Sequence, residues 1–255
     1  MKADRLRPAT LAAWGPGSAR SSVPARSVLA GSAPERSGRS ARSTQRPAAT
    51  TQRPAATTLA LAYLAGSLPF SNLAAIALRG IDLRRVGTGT VSGTALYQVA
   101  GFGPLAVAGS LDLAKGALGA RLGHTGGPGL RAFAAGMTVA GHNWSPWLRG
   151  AGGRGLAPAL GASLVLSPSV GAVLALGLGG GRLLSQTGGG CFWAMLAVFP
   201  VLAVAKGRDG VRDAAAIVAP MLGKRLLGNH LPTRPGLGVS LNRLVLDRDG
   251  PTAKP

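Results

Sequence analysis

Residues able to hold anions and move protons gather in four short stretches of this 255-residue chain. The longest runs Gly141-His142-Asn143-Trp144-Ser145-Pro146-Trp147-Leu148-Arg149-Gly150-Ala151-Gly152-Gly153-Arg154-Gly155. Glycine lets backbone approach a bound group and turn N–H donors toward it, and Arg and His add positive charge, so this loop is built to hold an anion. His142 can serve there as base, acid or donor to phosphate, or as a hydrogen-bonded structural residue at a helix end. A second stretch, Ile81 to Thr94, sets Gly87, Thr88, Gly89, Thr90, Ser92 and Gly93 beside Arg84 and Arg85. It reads either as a phosphate nest or as an interhelical loop with positive-inside arginines. The third is Asp112-Leu113-Ala114-Lys115-Gly116. Ionisable groups in an apolar span are costly unless they pair or serve a site; three residues apart on a helix, these two share a face and can also pair with each other. The fourth, Leu241-Asn242-Arg243-Leu244, lies near His230 and Arg234.

The elements that must position these residues are helices in lipid. The chain is 46% hydrophobic and only 14% charged, with a mean hydropathy of +0.26, against about 25% charged residues in a soluble domain. Crossing about 30 Å of hydrocarbon takes roughly 20 mostly apolar residues as helix. Leu59–Leu78, Gly155–Gly181 and Gly188–Ala205 carry no charge; Ala132–Leu148 carries only His142, Ala95–Leu122 carries Asp112 and Lys115 with Arg121 at its end, and Val211–Leu227 is interrupted by Pro220. The expected fold is therefore an all-α, polytopic transmembrane bundle of about five to seven spans, with abundant glycine where helices pack closely. Three regions are expected: a basic tail over 1–58, a membrane domain over 59–246 and a short C-terminal tail over 247–255.

The net charge of +20 invites a nucleic-acid partner, but much of it lies in the Ser-, Ala-, Pro- and Arg-rich segment 1–58. That segment contains a tandem duplication, TQRPAAT at Thr44 to Thr50 and again at Thr51 to Thr57. Such composition cannot bury a core and predicts disorder, and apart from Trp14 no aromatic residue interleaves to stack on bases, so no nucleic-acid role is expected. The lone Cys191 excludes an intramolecular disulfide and a thiolate cluster. The chain has eight acidic residues, no His-x-x-x-His and no Gly-x-Ser-x-Gly, so metal and serine-hydrolase chemistry lack their parts and neither metal nor cofactor is expected. Catalysis here must work by positioning and by stabilising negative charge.

Taken in order, Gly66-Ser67-Leu68-Pro69-Phe70, Gly80-Ile81-Asp82-Leu83-Arg84 leading to Gly87-Thr88-Gly89, Asp112-Leu113-Ala114-Lys115-Gly116, and Gly141-His142 with Gly152-Gly153-Arg154-Gly155 resemble the bacterial membrane glycerol-3-phosphate acyltransferases that use acyl phosphate, the PlsY family. The resemblance runs from about Leu59 to Arg243. It implies an enzyme of the bacterial plasma membrane, its motif loops facing the cytoplasm, that moves a fatty acyl group from acyl phosphate to the sn-1 hydroxyl of glycerol 3-phosphate. The product is lysophosphatidic acid, for phospholipid biosynthesis. Thr88, Lys115, His142 and Arg154 then become candidate catalytic residues, and Arg84, Gly87, Gly89, Gly152, Gly153 and Gly155 candidate phosphate ligands.

The chain also departs from the family pattern. Thr88 stands for a Ser, Thr90 and Ala95 for two Asn, and Gln98 for an Arg. The third loop keeps Arg154 but has Ala151 at its first Lys position, and Leu237 stands for a His. His230, Arg234 and Arg149 are available to substitute. A helical transporter and a non-catalytic or substrate-shifted relative share the same broad features. Positive-inside counting puts the loops at 79–85, 149–154 and 206–212 on one side and those at 121–131 and 182 on the other.

Overall fold

The structure is a computed structural model that describes residues 54–87, 89–229 and 236–247. Thr88, His230, Arg234 and the stretch through Arg53 lie outside the described residues. Among the described residues every regular element is helical: α1 Ala55–Ser67, α2 Phe70–Arg79, α3 Gly93–Ala100, α4 Phe102–Leu122, α5 Gly127–Asn143, α6 Leu156–Leu166, α7 Pro168–Leu183, α8 Thr187–Leu227 and α9 Leu237–Leu246. The protein is an all-α integral membrane bundle. Two stretches, Ala55–Arg79 and Thr187–Leu227, are long and apolar enough to cross a membrane.

Proline and glycine break the apolar runs where the sequence shows them. Pro69 separates α1 from α2, Gly101 separates α3 from α4, and Ser167-Pro168 divides the uncharged run from Leu156 to Gly181 into α6 and α7. α8 leaves helical geometry at Gly207, where φ is 59° and ψ is −135°. Gly210 packs against the carbonyl of Leu202, which a straight helix would hold about 12 Å away. The chain therefore reverses at Gly207, leaving two arms of about 20 residues, each about 30 Å long. Pro220 does not end the second arm. It removes the donor for the Ala216 carbonyl, and Gly136 of α5 packs onto that same carbonyl.

These breaks correct the expected path of the chain. Because α6 and α7 are two helices, α7 returns to the end at which α6 began: Leu156, Leu160, Leu178 and Arg182 line one cavity. At the other end, Leu166 lies beside His124, Arg131, Lys206 and Arg212. The loop at 206–212 thus shares an end with His124 and Arg131, and Arg182 shares one with Arg154, the reverse of the charge count made on a single uninterrupted span.

Small residues set the spacing of the bundle. A Cβ on Gly116 of α4 would sit 2.0 Å from the Pro158 carbonyl oxygen of α6, and one on Gly161 of α6 would sit 1.8 Å from that of Leu113 of α4. The two helices approach through reciprocal glycines, with no room for a side chain on either. That approach carries Asp112 and Lys115 against the start of α6. Gly161→Val is expected to destabilise the bundle by about 1–3 kcal/mol, the usual cost of overpacking, and to lower the unfolding temperature in detergent. An unchanged temperature would show that the contact is not close.

Candidate active site

At the end of the bundle where α1 stops, residues from separated loops surround a cavity of about 670 Å³. Ser71 of α2 and Thr90 and Ser92 of the loop before α3 line it, together with Asp112 of α4 and His142 of α5. Arg154 and Gly155 come from the glycine-rich loop, Arg182 from α7, Arg225 from α8, and Asp247 from the end of α9. Leu105, Leu156, Leu160, Leu178, Met221 and Leu246 complete the wall. One compartment thus offers cations to phosphate and hydrocarbon contact to a chain.

Asp112 is the hub of the polar wall. Its Oδ1 lies 2.7 Å from Lys115 Nζ and 3.7 Å from His142 Nδ1, and all three side chains are largely buried. Lys115 Nζ also donates to the Leu68 carbonyl at 2.8 Å and stands 5.4 Å above the Phe70 ring. A helix leaves its last carbonyls without intrahelical donors, and the Leu68 carbonyl just past α1 accepts from the Phe70 N–H at 3.2 Å. Lys115 gives that carbonyl a second donor, while its charge meets Asp112. Asp112 in turn sits beside the imidazole that faces the cavity.

The glycine-rich loop is tied down from both sides. Tyr63 Oη donates to the Trp144 carbonyl at 2.6 Å, Ser145 Oγ to the Ser67 carbonyl at 2.6 Å, and Trp147 Nε1 to Ser67 Oγ at 2.8 Å. From α8, Lys224 Nζ donates to the Gly150 carbonyl at 2.7 Å and lies 5.6 Å from the Trp144 ring. Asn229 Nδ2 reaches the carbonyls of Gly89 and Gly152 at 3.2 Å each and Thr90 Oγ1 at 3.3 Å. A single amide therefore joins the first loop, the third loop and the end of α8.

Sequence expectations meet this geometry unevenly. His142, Arg154 and Gly155 line the cavity, while Thr88 lies outside the described residues. Lys115 does not line the cavity; it is held behind Asp112 by the end of α1. The Gly152 N–H donates to the Asn143 carbonyl and the Gly153 N–H to the His142 carbonyl, both at 3.1 Å, and the Gly89 N–H donates to Val86 at 3.0 Å. These three donors are used inside the loops, so the nest expected from their backbone is not formed by them. Gly153 instead lies against the His142 ring, where its lack of a Cβ leaves room for Nε2.

Arg84 also lies away from the cavity lining. Its Nε reaches Asp82 Oδ1 and Oδ2 at 3.1 and 3.0 Å, and the guanidinium beside Asp82 lowers that carboxyl to a pKa of about 2. Gly87 turns the same loop in the left-handed region, at φ 56°. Leu237 and Gln98 are exposed and Arg149 lies on an exposed turn, so Arg149 does not replace the missing cations at the cavity.

Arg182, Arg225, Asn229 and Asp247 were not singled out by sequence reasoning. Lys224-Arg225 was visible as two cations closing an apolar run, the same signal that marked Asp112 and Lys115. Pro220 obscured it by weakening the span around it.

Residues 56–227 match the family model described as glycerol-3-phosphate acyltransferase. "Glycerol-3-phosphate acyltransferase 2" of Moorella thermoacetica is 37% identical over 165 residues, covering 64% of this chain and 75% of the relative. "Glycerol-3-phosphate acyltransferase" of Synechococcus elongatus is 33% identical over 198 residues, covering 74% and 84%. Among solved structures, the glycerol 3-phosphate form of PlsY, an integral membrane glycerol 3-phosphate acyltransferase, aligns with a TM-score of 0.61 at 28% identity, covering 67% of this chain and 88% of that one. Its lysophosphatidic acid form aligns at 0.58 and 26%, covering 67% and 87%.

Removing one partner of a buried ion pair costs about 3–5 kcal/mol, because the other charge is left unpaired. Lys115→Met is therefore expected to lower the unfolding temperature sharply, and the Asp112→Asn/Lys115→Met double variant to recover part of that loss. Thermal unfolding in detergent measures both. Equal stability of parent and single variant would remove the pair from the framework.

Proposed function

This chain belongs to the glycerol-3-phosphate acyltransferase family, and from that premise we propose that it transfers a fatty acyl group from acyl phosphate to the sn-1 hydroxyl of glycerol 3-phosphate. The products are lysophosphatidic acid and inorganic phosphate. The observation that carries the reading is the convergence of Arg154, His142 and Asp112, from three separated segments, on one cavity that also has an apolar wall.

The residues support a direct transfer. Arg154 and Arg225, with Arg182 at the mouth, neutralise the phosphates of donor and acceptor, as guanidinium groups do through paired N–H donors. The N–H of Gly155 and the hydroxyls of Thr90 and Ser92 complete the polar wall. The glycerol hydroxyl attacks the acyl carbonyl; the C–O bond to phosphate breaks and phosphate leaves as a stable anion. His142, oriented by Asp112, carries the hydroxyl proton toward the leaving phosphate. Lys115 acts from behind, by fixing Asp112 and the end of α1. The acyl chain lies against Leu105, Leu156, Leu160 and Leu178. The amide of Asn229, brought to Gly89 and Thr90 from the end of α8, stands in for the Asn residues that Thr90 and Ala95 replace.

Charge also supports an orientation in the bacterial plasma membrane. Arg154, Arg182 and Arg225 line the cavity and Lys224 bonds the loop that carries Arg149 and Arg154, against Arg131, Lys206 and Arg212 gathered at the other end. Cytoplasmic loops carry the excess of Lys and Arg, so the cavity opens to the cytoplasm in a multi-pass protein.

Loss of a charged donor costs about 1.5–3 kcal/mol, or roughly 10- to 100-fold in rate. Arg154→Ala is expected to slow phosphate release from acyl phosphate and glycerol 3-phosphate by that factor in purified protein. Unchanged turnover would exclude the loop from the reaction.

A further inference from the structure

The cavity proposed to receive two phosphate-bearing substrates contains a carboxylate against one of its cations. Asp247 Oδ1 lies 2.9 Å from Arg154 Nε, and both residues line the cavity. The chain has eight acidic residues against a net charge of +20, so an acid at this spot is not explained by composition. A fixed negative charge there opposes the entry of a dianion.

The position of the carboxylate is built into the backbone. α9 ends in Asp247, which adopts the left-handed region at φ 55°, uncommon for a residue with a side chain though tolerated best by Asn and Asp. Its N–H donates to the Arg243 carbonyl at 3.0 Å. Arg225 Nη1 donates to the Leu244 carbonyl of α9 and the Gly188 carbonyl of α8, each at 3.0 Å. Gly188 packs so closely that a Cβ on it would stand 2.1 Å from the Leu246 carbonyl oxygen. The end of α9 is thereby clamped to the start of α8, with Asp247 directed at Arg154.

We propose that Asp247 is an intramolecular competitor for the phosphate site: its carboxylate holds Arg154 in the empty enzyme and is displaced when the substrate phosphate arrives. This rests on the assignment of Arg154 to phosphate binding. The contact pairs the charge of a half-buried guanidinium between turnovers, whose Nη1 otherwise has the neutral Lys224 carbonyl at 3.2 Å. A dianionic phosphate offers more charge and more acceptor oxygens than one carboxylate, so it takes the guanidinium, and the Asp247 side chain turns away from Arg154 while its clamped backbone stays in place. The exchange lowers substrate affinity by the strength of the contact it replaces and eases release of the phosphorylated product. Asp247 therefore sets KM for the phosphorylated substrate rather than the rate of the chemical step.

The test uses the full chain in detergent, with acyl phosphate and glycerol 3-phosphate, and inorganic phosphate as an inhibitor. Asp247→Asn is expected to lower KM for glycerol 3-phosphate several-fold and to strengthen phosphate inhibition to match, with kcat little changed. Asp247→Ser must shift KM in the same direction, and Asp247→Glu, which keeps the charge, must not. In an Arg154→Ala background Asp247→Asn should give no further gain. If both neutral variants leave KM unchanged or raise it while Arg154→Ala also raises it, the competitor role is overturned and the phosphate role of Arg154 stands. If Arg154→Ala leaves KM unchanged, the reading beneath the proposal fails instead.

Discussion

A buried carboxylate that must not be left alone organises this molecule. Asp112 lies within an otherwise apolar helix, where a bare charge is prohibitive, and its two neighbours come from different places: Lys115 from the next turn of α4 and His142 from the end of α5. Lys115 then joins the pair to α1 through the Leu68 carbonyl. Three helices are held in one register by a single polar contact set, and that register presents His142 to the cavity.

Close packing makes such a contact possible. The reciprocal glycines of α4 and α6 bring backbone against backbone at Gly116 and Gly161, immediately beside Asp112 and Lys115. Lipid supplies no hydrophobic drive for helices to associate, so van der Waals contact and buried hydrogen bonds must do so. The same economy governs the loops. The carbonyls of Ser67 and Leu68, past which α1 does not continue, are met by Ser145 and Lys115, and these bonds fasten the glycine-rich loop and α4 to the end of α1. Backbone need and site construction are met by the same bonds.

Much of the architecture was legible in the sequence because its signals are local. Apolar runs of spanning length marked the helices, Gly-rich basic stretches marked the loops with His142 and Arg154 in them, and Asp112 and Lys115 stood out through the cost of placing charge in an apolar span. The loop backbone was misread for an equally physical reason: Gly152, Gly153 and Gly89 look like anion-binding donors in one dimension, yet a tight loop must first satisfy its own carbonyls, and their N–H groups do so. Arg84 was drawn to Asp82, two residues away in its own loop, before any ligand could claim it.

By itself the sequence determined that this chain lies in lipid as helices, and it marked the basic, glycine-rich loops as candidate anion sites, because hydropathy, residue type and spacing are read along the chain. Only the tertiary structure decided which end each loop occupies, since one break at Ser167-Pro168 reverses everything that follows. It also brought Arg225, Asn229 and Asp247 to the site. Contacts between residues up to 140 positions apart, such as Asn229 with Gly89, follow from how helices pack and where they turn back, and no local pattern encodes that.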